Sequence, residues 1–289
     1  MHEEKIKRLY DLKKAAEIGG GEERVAAQHS KGKLTARERI DLLLDPRTFL
    51  EIDKYTTHRD ESASQKFPGD GVITGFGRVD GRLVSLYAYD FTILGGSLGE
   101  MAGKKIVKIM EHALKVGAPL IGIIDSGGAR IQEGVLSLDG YGDIFFHNTL
   151  ASGAVPQITA SIGPCAGGAV YSPAMTDFVI MVENVGQMFV TGPEVVKEVL
   201  SQDVSFEELG GARTHASKSG VAHFIARNEF ECMDKIKKLL SYLPQNNTEA
   251  PPLAETSDDP NRIDPNLVNI LPENPYQQYD MKQIINSIV

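Results

Sequence analysis

The chain of 289 residues has few cysteines, no long apolar run and no excess of basic charge. Its two cysteines, Cys165 and Cys232, form no C-x-x-C pair, which argues against a disulfide scaffold and against a zinc site. The first residues are charged rather than apolar, and no apolar run is long enough to span a membrane. We therefore expect a cytoplasmic protein without a metal site and without a membrane span.

Several functional motifs are also missing. The formal net charge is −9, and no basic stripe is present, so we expect no nucleic-acid partner. Neither the dinucleotide motif G-x-G-x-x-G nor the phosphate-binding motif G-x-x-x-x-G-K-[ST] occurs. The seven histidines are scattered without the spacing of metal ligands. Common nucleotide-binding and metal-dependent classes are therefore not indicated.

A unit of strand, Gly-rich turn and helix occurs at least twice, around residues 119–135 and 155–175. Residues 119–125 and 155–162 are near-continuous apolar runs, which predict strands of a buried parallel sheet. In the second of these repeats, Gly167 and Gly168 lie between the end of the strand and the start of the helix. Amides at such a place lack partners in the helix and can stabilise an oxygen that becomes negative in a reaction. A tight turn built from small residues is the alternative, and this stretch alone favours it.

Other segments predict the frame around these turns. Asp80-Gly81 between two alternating runs is a strong signal for a β-hairpin. Thr35 and Glu38 form the pattern of a capping box at the start of a helix. Further predictions are an amphipathic helix over residues 3–18, a mobile loop over 57–69, helices near 140–153 and 229–240, and a linker over 244–260.

Ser97 has two interpretations. Residues 95–99 match the nucleophile motif G-x-S-x-G, which would make Ser97 the nucleophile of a hydrolase. Ser97 and Glu100 also form the pattern of a capping box for the helix that follows. The match to the nucleophile motif is short, and no histidine can be assigned as its partner, so the capping role is favoured.

Arg130 follows the first Gly-rich turn, at the end of a strand where ligands bind in α/β folds. Its guanidinium could bind a phosphate or a carboxylate of a substrate. A salt bridge to Asp125 or Glu133 is the alternative. The sequence does not decide between them.

Six stretches resemble the biotin-dependent acyl-CoA carboxyltransferase family, in its branch of propionyl-CoA carboxylases and methylmalonyl-CoA decarboxylases. They are KLTARER at 33–39, DSGGARIQEGV at 125–135, GPCAGGAVYSPA at 163–174, GGA at 210–212, SGVAHF at 219–224 and LSYLPQNN at 240–247. The resemblance covers the whole chain from residue 33 onward. It is to the N-terminal half of the family's enzymes.

The resemblance implies a fold and a reaction. The fold would be α/β and crotonase-like (ClpP/crotonase), a spiral of repeated ββα units. The enzyme would move a carboxyl group between carboxybiotin and the α-carbon of a short acyl-CoA, such as propionyl-CoA or methylmalonyl-CoA. Its intermediate would be an enolate stabilised by backbone amides. Biotin, carried on a partner protein, would be the cofactor, and the CoA thioester the substrate.

The resemblance also implies the site. Gly167 and Gly168 would carry the oxyanion hole and count as catalytic. The residues that bind substrate would be Ser126, Gly127, Gly128, Ala129, Arg130, Ala166 and Ala169. No metal would take part.

The implied partners are a C-terminal carboxyltransferase half, a biotin carboxyl carrier protein, and biotin carboxylase or decarboxylase subunits, within a homo-oligomer. We expect an N-terminal carboxyltransferase domain over residues 1–258 and a linker over 259–289 toward the C-terminal domain. The chain would be incomplete as an enzyme on its own. A serine hydrolase or peptidase of the same fold and a non-catalytic CoA-binding module remain alternatives, and the direction of the reaction stays open.

Overall fold

A computed structural model describes residues 2–59 and 65–289 of the chain. Residues 60–64, the middle of the predicted loop, lie outside the described residues. The chain divides into two compact units, the first ending at Pro252 and the second comprising Leu253–Val289. The predicted domain boundary after residue 258 lies close to this division, and the assignment of the two domains stays a prediction.

The described chain contains eight strands and eleven α-helices. The strands are β1 Leu50–Ile52, β2 Val72–Val79, β3 Arg82–Tyr89, β4 Leu120–Ser126, β5 Gln157–Ala166, β6 Phe178–Val182, β7 Gln187–Phe189 and β8 Phe224–Ala226. The helices are α1 His2–Ile18, α2 Glu22–Ser30, α3 Ala36–Leu43, α4 Glu100–Val116, α5 Val135–Ala151, α6 Gly168–Ala174, α7 Pro193–Leu200, α8 Phe206–Gly210, α9 Ala212–Thr214, α10 Glu229–Leu240 and α11 Met281–Ile288.

All eight strands belong to one sheet, in the order β1-β2-β3-β4-β5-β6-β8, with β7 paired beside β5. The first three strands are antiparallel, and β2 and β3 form the hairpin predicted at Asp80-Gly81. From β3 onward the pairs are parallel. Parallel neighbours need crossover connections, and α4 and α5 provide them between β3, β4 and β5.

Helices cover both faces of this sheet, which explains why its central strands are apolar on both sides. All seven residues of β4 are buried. One core cluster packs the sheet against α3 and α10, and it includes Ile40, Ile121 and Ile236. The other packs the sheet against α4 and α5, and it includes Ile106, Ile124 and Ile144. The predicted buried parallel strands are confirmed.

The helix predictions succeed where capping or periodicity is strong. The capping box of Thr35 and Glu38 is present at the start of α3. Cys232 on α10 is fully buried in the core. Sequence patterns missed α2, a short, largely polar helix in which Gln28 is the one buried residue.

The second unit has little regular structure. It contains a 3₁₀ turn over Pro265–Asn269 and the helix α11. Asp264 and Asp280 cap these two segments through their side chains.

Candidate active site

The two Gly-rich turns lie next to each other at the same end of the sheet. Strands β4 and β5 are paired in parallel, and the ladder extends to the pair of Ser126 with Cys165. A Cβ atom on Gly128 would lie 2.8 Å from the carbonyl oxygen of Ala166, so the turns are in contact. Gly128 also has φ 102°, a conformation that favours glycine. Both turns therefore lie at the same end of the sheet.

Gly168 lies directly on an aromatic ring. A Cβ atom at this position would lie 2.7 Å from Cδ2 of Tyr141, closer than real contacts allow. Tyr141 is buried, and its ring stacks with Phe145 at 6.0 Å between centroids. The turn therefore needs glycine at 168 because the helix α5 approaches its backbone so closely.

The backbone amides of the second turn differ in their partners. Gly167 donates its N–H to the carbonyl of Phe189 over 3.2 Å and has φ 57° and ψ −127°, which suit glycine alone. For the N–H of Gly168, the first residue of α6, no acceptor is found among the described residues. Gly167 thus shapes the turn, while Gly168 presents an unused donor.

The first turn presents a second unused donor. Leu98 donates to the carbonyl of Gly128 over 2.9 Å and accepts from the N–H of Arg130 over 2.9 Å, forming a short parallel bridge. The N–H of Ala129 points away from this bridge because successive amides alternate along an extended chain. Within residues 2–59 and 65–289 this amide has no acceptor. Two free amides, at Ala129 and Gly168, therefore lie on adjacent turns.

The remaining residues of the first turn are fixed by hydrogen bonds. The Ser126 hydroxyl donates to the Gly96 carbonyl over 2.7 Å and accepts from the Gly128 N–H over 3.2 Å. Gly127 donates to the Gly95 carbonyl over 3.0 Å. This fixed loop satisfies one requirement for a preorganised donor.

Arg130 is committed to protein partners. Its side chain is 3% exposed and forms ion pairs with Asp70 at 2.6 Å and Glu133 at 2.7 Å. Its other N–H groups donate to the Asp70 carbonyl and to the carbonyl and hydroxyl of Ser97. All five donors of the guanidinium are used. Of the two interpretations, the salt bridge to Glu133 is confirmed, and the second partner is Asp70 rather than Asp125.

The capping role predicted for Ser97 is wrong. The N-cap of α4 is Gly99, and no side chain of its own caps the helix. The Ser97 hydroxyl instead donates to the Leu94 carbonyl over 2.8 Å. Its other contact is Nε of Arg130, so the described residues place no histidine against Ser97. A hydrolase triad is therefore not assembled around it.

Asp125, near the end of β4, belongs to a buried cluster of ion pairs. Its carboxylate is fully buried and forms ion pairs with Lys33 at 2.7 Å and Arg39 at 2.9 Å. Arg39 also pairs with Glu229 of α10 at 2.8 Å. A Cβ atom on Gly163 would lie 1.9 Å from Asp125, so β5 packs closely over this cluster. The cluster joins α3, β4 and α10 beneath the site.

Two cavities flank the turns. One, of about 320 Å³, is lined by Arg24, Lys31, Phe91 and Gly95, and Gly95 contacts Gly127 of the first turn. The other, of about 450 Å³, is mainly apolar and includes Val170, Phe189 and His215 beside α6. Both volumes fall within or near the range of small-molecule sites.

The tyrosine and cysteine side chains beneath the turns are held neutral by burial. Burial raises the pKa of Tyr87 to about 12 and raises the pKa values of Tyr89 and Tyr141 as well. Burial also raises the pKa of the Cys165 thiol, whose Sγ contacts the Ala169 carbonyl. His215 uses both ring nitrogens, on the Met188 carbonyl and the Ser219 hydroxyl. In the described part of the chain, no set of three or more metal-ligating side chains comes together.

Three comparisons bear on this arrangement. Residues 27–289 match the profile of the family described as "Carboxyl transferase domain". The chain is 56% identical to a propionyl-CoA carboxylase carboxyltransferase subunit of Haloferax mediterranei, covering 99% of this chain and 56% of that protein. It is 54% identical to methylmalonyl-CoA decarboxylase subunit alpha of Veillonella parvula, covering 99% and 57%.

A solved structure is also similar over the whole chain. It is transcarboxylase 12S, a hexamer assembly with methylmalonyl-coenzyme A and methylmalonic acid bound. The TM-score is 0.89 at 46% identity, covering 100% of this chain and 56% of that one. The predicted α/β crotonase-like fold is thereby confirmed. The chain spans little more than half the length of these relatives, and no helix in its described part is both long and apolar enough to cross a bilayer.

Proposed function

Because this chain belongs to the carboxyl transferase domain family, we propose that it is the acyl-CoA-binding half of a biotin-dependent carboxyltransferase. The observation that carries the proposal is the pair of unused amides at Ala129 and Gly168 on adjacent turns. A thioester carbonyl placed between them would accept two hydrogen bonds.

The difficult species in this reaction is the enolate that remains when the α-carbon loses a carboxyl group or a proton. Its negative charge lies on the thioester oxygen, where Ala129 and Gly168 would donate. Donors already fixed in place stabilise a developing charge without reorganising, so they favour the transition state over the bound substrate. Among the two glycines predicted as catalytic, Gly168 would donate, and Gly167 would hold the turn through its bond to Phe189.

The other predicted residues would shape the substrate-binding surface. Ser126, Gly127 and Gly128 form the fixed first turn, and Ala166 and Ala169 flank the second. Arg130 would serve the site by holding the first turn, since its own donors are all used.

The CoA portion would enter from the smaller cavity. Arg24 and Lys31 supply positive charge there, which suits the phosphates of CoA. Gly95 connects this cavity to the first turn through its contact with Gly127. A CoA bound in this cavity would therefore present its thioester to the two amides.

The larger apolar cavity beside α6 would receive the carboxyl donor. Its lining of Val170, Phe189 and similar side chains suits the carbon face of a bicyclic ring such as biotin. Biotin on a partner carrier protein would supply or remove the carboxyl group. The contribution of this chain is to position the acyl-CoA and to keep water from the enolate. Among the described residues, Arg130 and His215 beside the turns are both paired with protein partners, which is consistent with this division of roles.

The substrate class is a short acyl-CoA such as propionyl-CoA or methylmalonyl-CoA, by analogy with the relatives. The partners would be a C-terminal carboxyltransferase half, a biotin carboxyl carrier protein and biotin carboxylase or decarboxylase subunits. The assembly would be a cytoplasmic homo-oligomer.

Calorimetry with the purified chain tests the proposal. We expect propionyl-CoA and methylmalonyl-CoA to bind, and pantetheine without the nucleotide portion to bind far more weakly. Charge reversal of Lys31 to glutamate should weaken both CoA esters, whereas reversal of the exposed Lys115, in the last turn of α4, should not. Failure of both esters to bind would contradict the proposal. Labelling of Ser97 by a fluorophosphonate would favour the hydrolase alternative instead.

A further inference from the structure

Asp70 lies far from the Gly-rich turns in sequence but is joined to the first of them by a buried ion pair. Its Oδ1 lies 2.6 Å from Nη1 of Arg130, the residue that follows Ala129. Its backbone carbonyl accepts a second bond from the same guanidinium, over 3.3 Å. The Asp70 side chain is fully buried. Asp70 thus holds Arg130 through both its carboxylate and its backbone carbonyl.

The segment that carries Asp70 is held in an unusual conformation. Gly69, Asp70 and Gly71 have φ values of 87°, 49° and 77°, three consecutive residues in the left-handed region. Non-glycine residues seldom adopt this region, and asparagine and aspartate tolerate it best. The buried ammonium of Lys105 donates to the carbonyls of Gly69 and Val72, on either side of Asp70. The position of Asp70 is therefore fixed by the core.

The same carboxylate ties the first turn to helix α4. Oδ2 of Asp70 accepts the N–H of Ala102 over 3.0 Å, in the first turn of α4. Glu133 makes an equivalent pair of contacts: it forms an ion pair with Arg130 and accepts the N–H of Glu100 over 2.8 Å. Two distant carboxylates thus satisfy orphan amides of α4 and hold Arg130 between them. A shift of Asp70 would displace Arg130 and, with it, the Ala129 amide.

We propose that Asp70 is a positioning residue of the oxyanion site, which fixes the position of the Ala129 amide through its ion pair and hydrogen bond with Arg130. This inference rests on the proposed function, because it assumes that the Ala129 amide meets the enolate oxygen of an acyl-CoA. Asp70 itself touches no substrate in this account. Its effect is confined to the donor geometry that the transition state requires.

The substitution Asp70→Asn isolates this role. Asparagine also tolerates the left-handed backbone, so the change removes the charge while retaining the conformation. Asp53→Asn is the matched control: Asp53 has φ 54° and pairs with Lys108 at 2.9 Å, but near the surface and away from the turns. Both variants are made in the chain of residues 1–289.

The readout compares two ligands by calorimetry. Propionyl-CoA represents the ground state, and carboxymethyl-CoA, a thioether with a carboxylate, represents the negative enolate oxygen. We expect Asp70→Asn to weaken carboxymethyl-CoA about tenfold or more and propionyl-CoA less than threefold, an effect in the range of one charge-assisted hydrogen bond. Simple electrostatics predicts the opposite, since removing a negative charge near the site would strengthen binding of an anion. Asp53→Asn should leave both affinities unchanged.

Each outcome decides one question. Unchanged or tighter binding of carboxymethyl-CoA to Asp70→Asn would overturn the positioning role while leaving the proposed function intact. Equal weakening of both ligands would overturn it in favour of a general structural role. If the unsubstituted chain binds neither ligand, the proposed function itself fails. Should Asp70→Asn not fold, Arg130→Lys, which keeps the charge but loses the fork, is measured in the same way. Unfolding of both variants would also assign Asp70 a purely structural role.

Discussion

Single glycines at the two turns are required by close contacts as much as by conformation. Gly168→Ala places a methyl group against the ring of Tyr141, so either the ring or the amide must move. We expect the affinity for carboxymethyl-CoA to fall at least about tenfold, or about 1.4 kcal/mol. Calorimetry measures the loss.

Gly142→Ala on α5 is the matched control for this substitution. A Cβ atom there meets nothing within 4 Å, and alanine favours a helix. We expect full affinity and equal or greater stability. Full affinity in Gly168→Ala as well would remove Gly168 from the set of donors.

Lys105 makes stability depend on pH in a predictable direction. Burial lowers its pKa to about 8, below the ordinary value of 10.5. Between these values the unfolded chain binds one more proton than the folded chain, so the contribution of Lys105 to stability rises with pH. Below pH 8 the folded protein bears the full cost of a buried ammonium.

Lys105→Met removes this dependence. The difference in unfolding free energy between the native chain and the variant should shift in favour of the native chain from pH 8 to pH 10.5. The shift should amount to about 3 kcal/mol at most. Urea unfolding at a series of pH values measures it. A difference that stays constant across this window would contradict the lowered pKa.

At the scale of elements, the buried ion pairs of Asp125, Arg39 and Glu229 connect α10 to the end of β4. Glu229→Gln leaves the buried guanidinium of Arg39 with Asp125 as its remaining carboxylate. Breaking a buried pair from one side costs about 3–5 kcal/mol. We expect a loss near the lower value, because Asp125 still pairs with Arg39.

Glu231→Gln on the same helix is the control. Glu231 pairs with the exposed side chain of Arg227 and the half-buried side chain of Lys235, and surface pairs contribute about 1 kcal/mol or less. Urea unfolding of the two variants should differ by at least about 2 kcal/mol. Equal losses would show that the cluster does not stabilise the fold.

The elements that the sequence predicts are those whose signal is local. The hairpin at Asp80-Gly81 and the capping box at Thr35 depend on residues a few positions apart. The cap of α4 could not be predicted, because its two carboxylates come from residues 70 and 133. The motif around Ser97 looked like a cap only because Glu100 happens to follow at the right spacing.

In the candidate site, too, the sequence predicts the features whose signal is local and misses those that depend on long-range contacts. Strand-turn-helix units indicated both Gly-rich turns, and the resemblance favoured an oxyanion role for Gly167 and Gly168 over a simple tight turn. The unused amide of Ala129 depends on its bridge to Leu98, which no spacing in the sequence indicates. The commitment of Arg130 to Asp70 likewise depends on a contact between residues 60 positions apart.

At the scale of the whole molecule, the chain spans little more than half of each relative. Beside the first turn, Ile131 and Val135 are 88% and 78% exposed, an apolar surface where we expect a C-terminal carboxyltransferase half to pack. We predict that residues 1–289 bind acyl-CoA alone but transfer carboxyl groups only when that half is added. Positioning two reactants contributes an effective concentration of about 10⁵ M or more in favourable cases, and that contribution needs both halves.

The assay supplies carboxylated carrier protein and propionyl-CoA, with and without the C-terminal half of a relative. Robust transfer by residues 1–289 alone would contradict the division of labour between the halves. Absence of transfer in the complete mixture, with acyl-CoA still bound, would favour the non-catalytic CoA-binding module.

The first amides of helix α4 are hydrogen-bonded only by side chains from outside the helix, which couples α4 to the assembly of the site. The amides of Glu100 and Ala102 find their acceptors in Glu133 and Asp70, on two separate loops. These two amide protons should exchange with solvent only when the loops part, while amides further along α4 follow global unfolding. Their exchange rates would therefore report the parting of these two loops directly, and bound acyl-CoA should slow the exchange of these two amides more than that of amides further along α4.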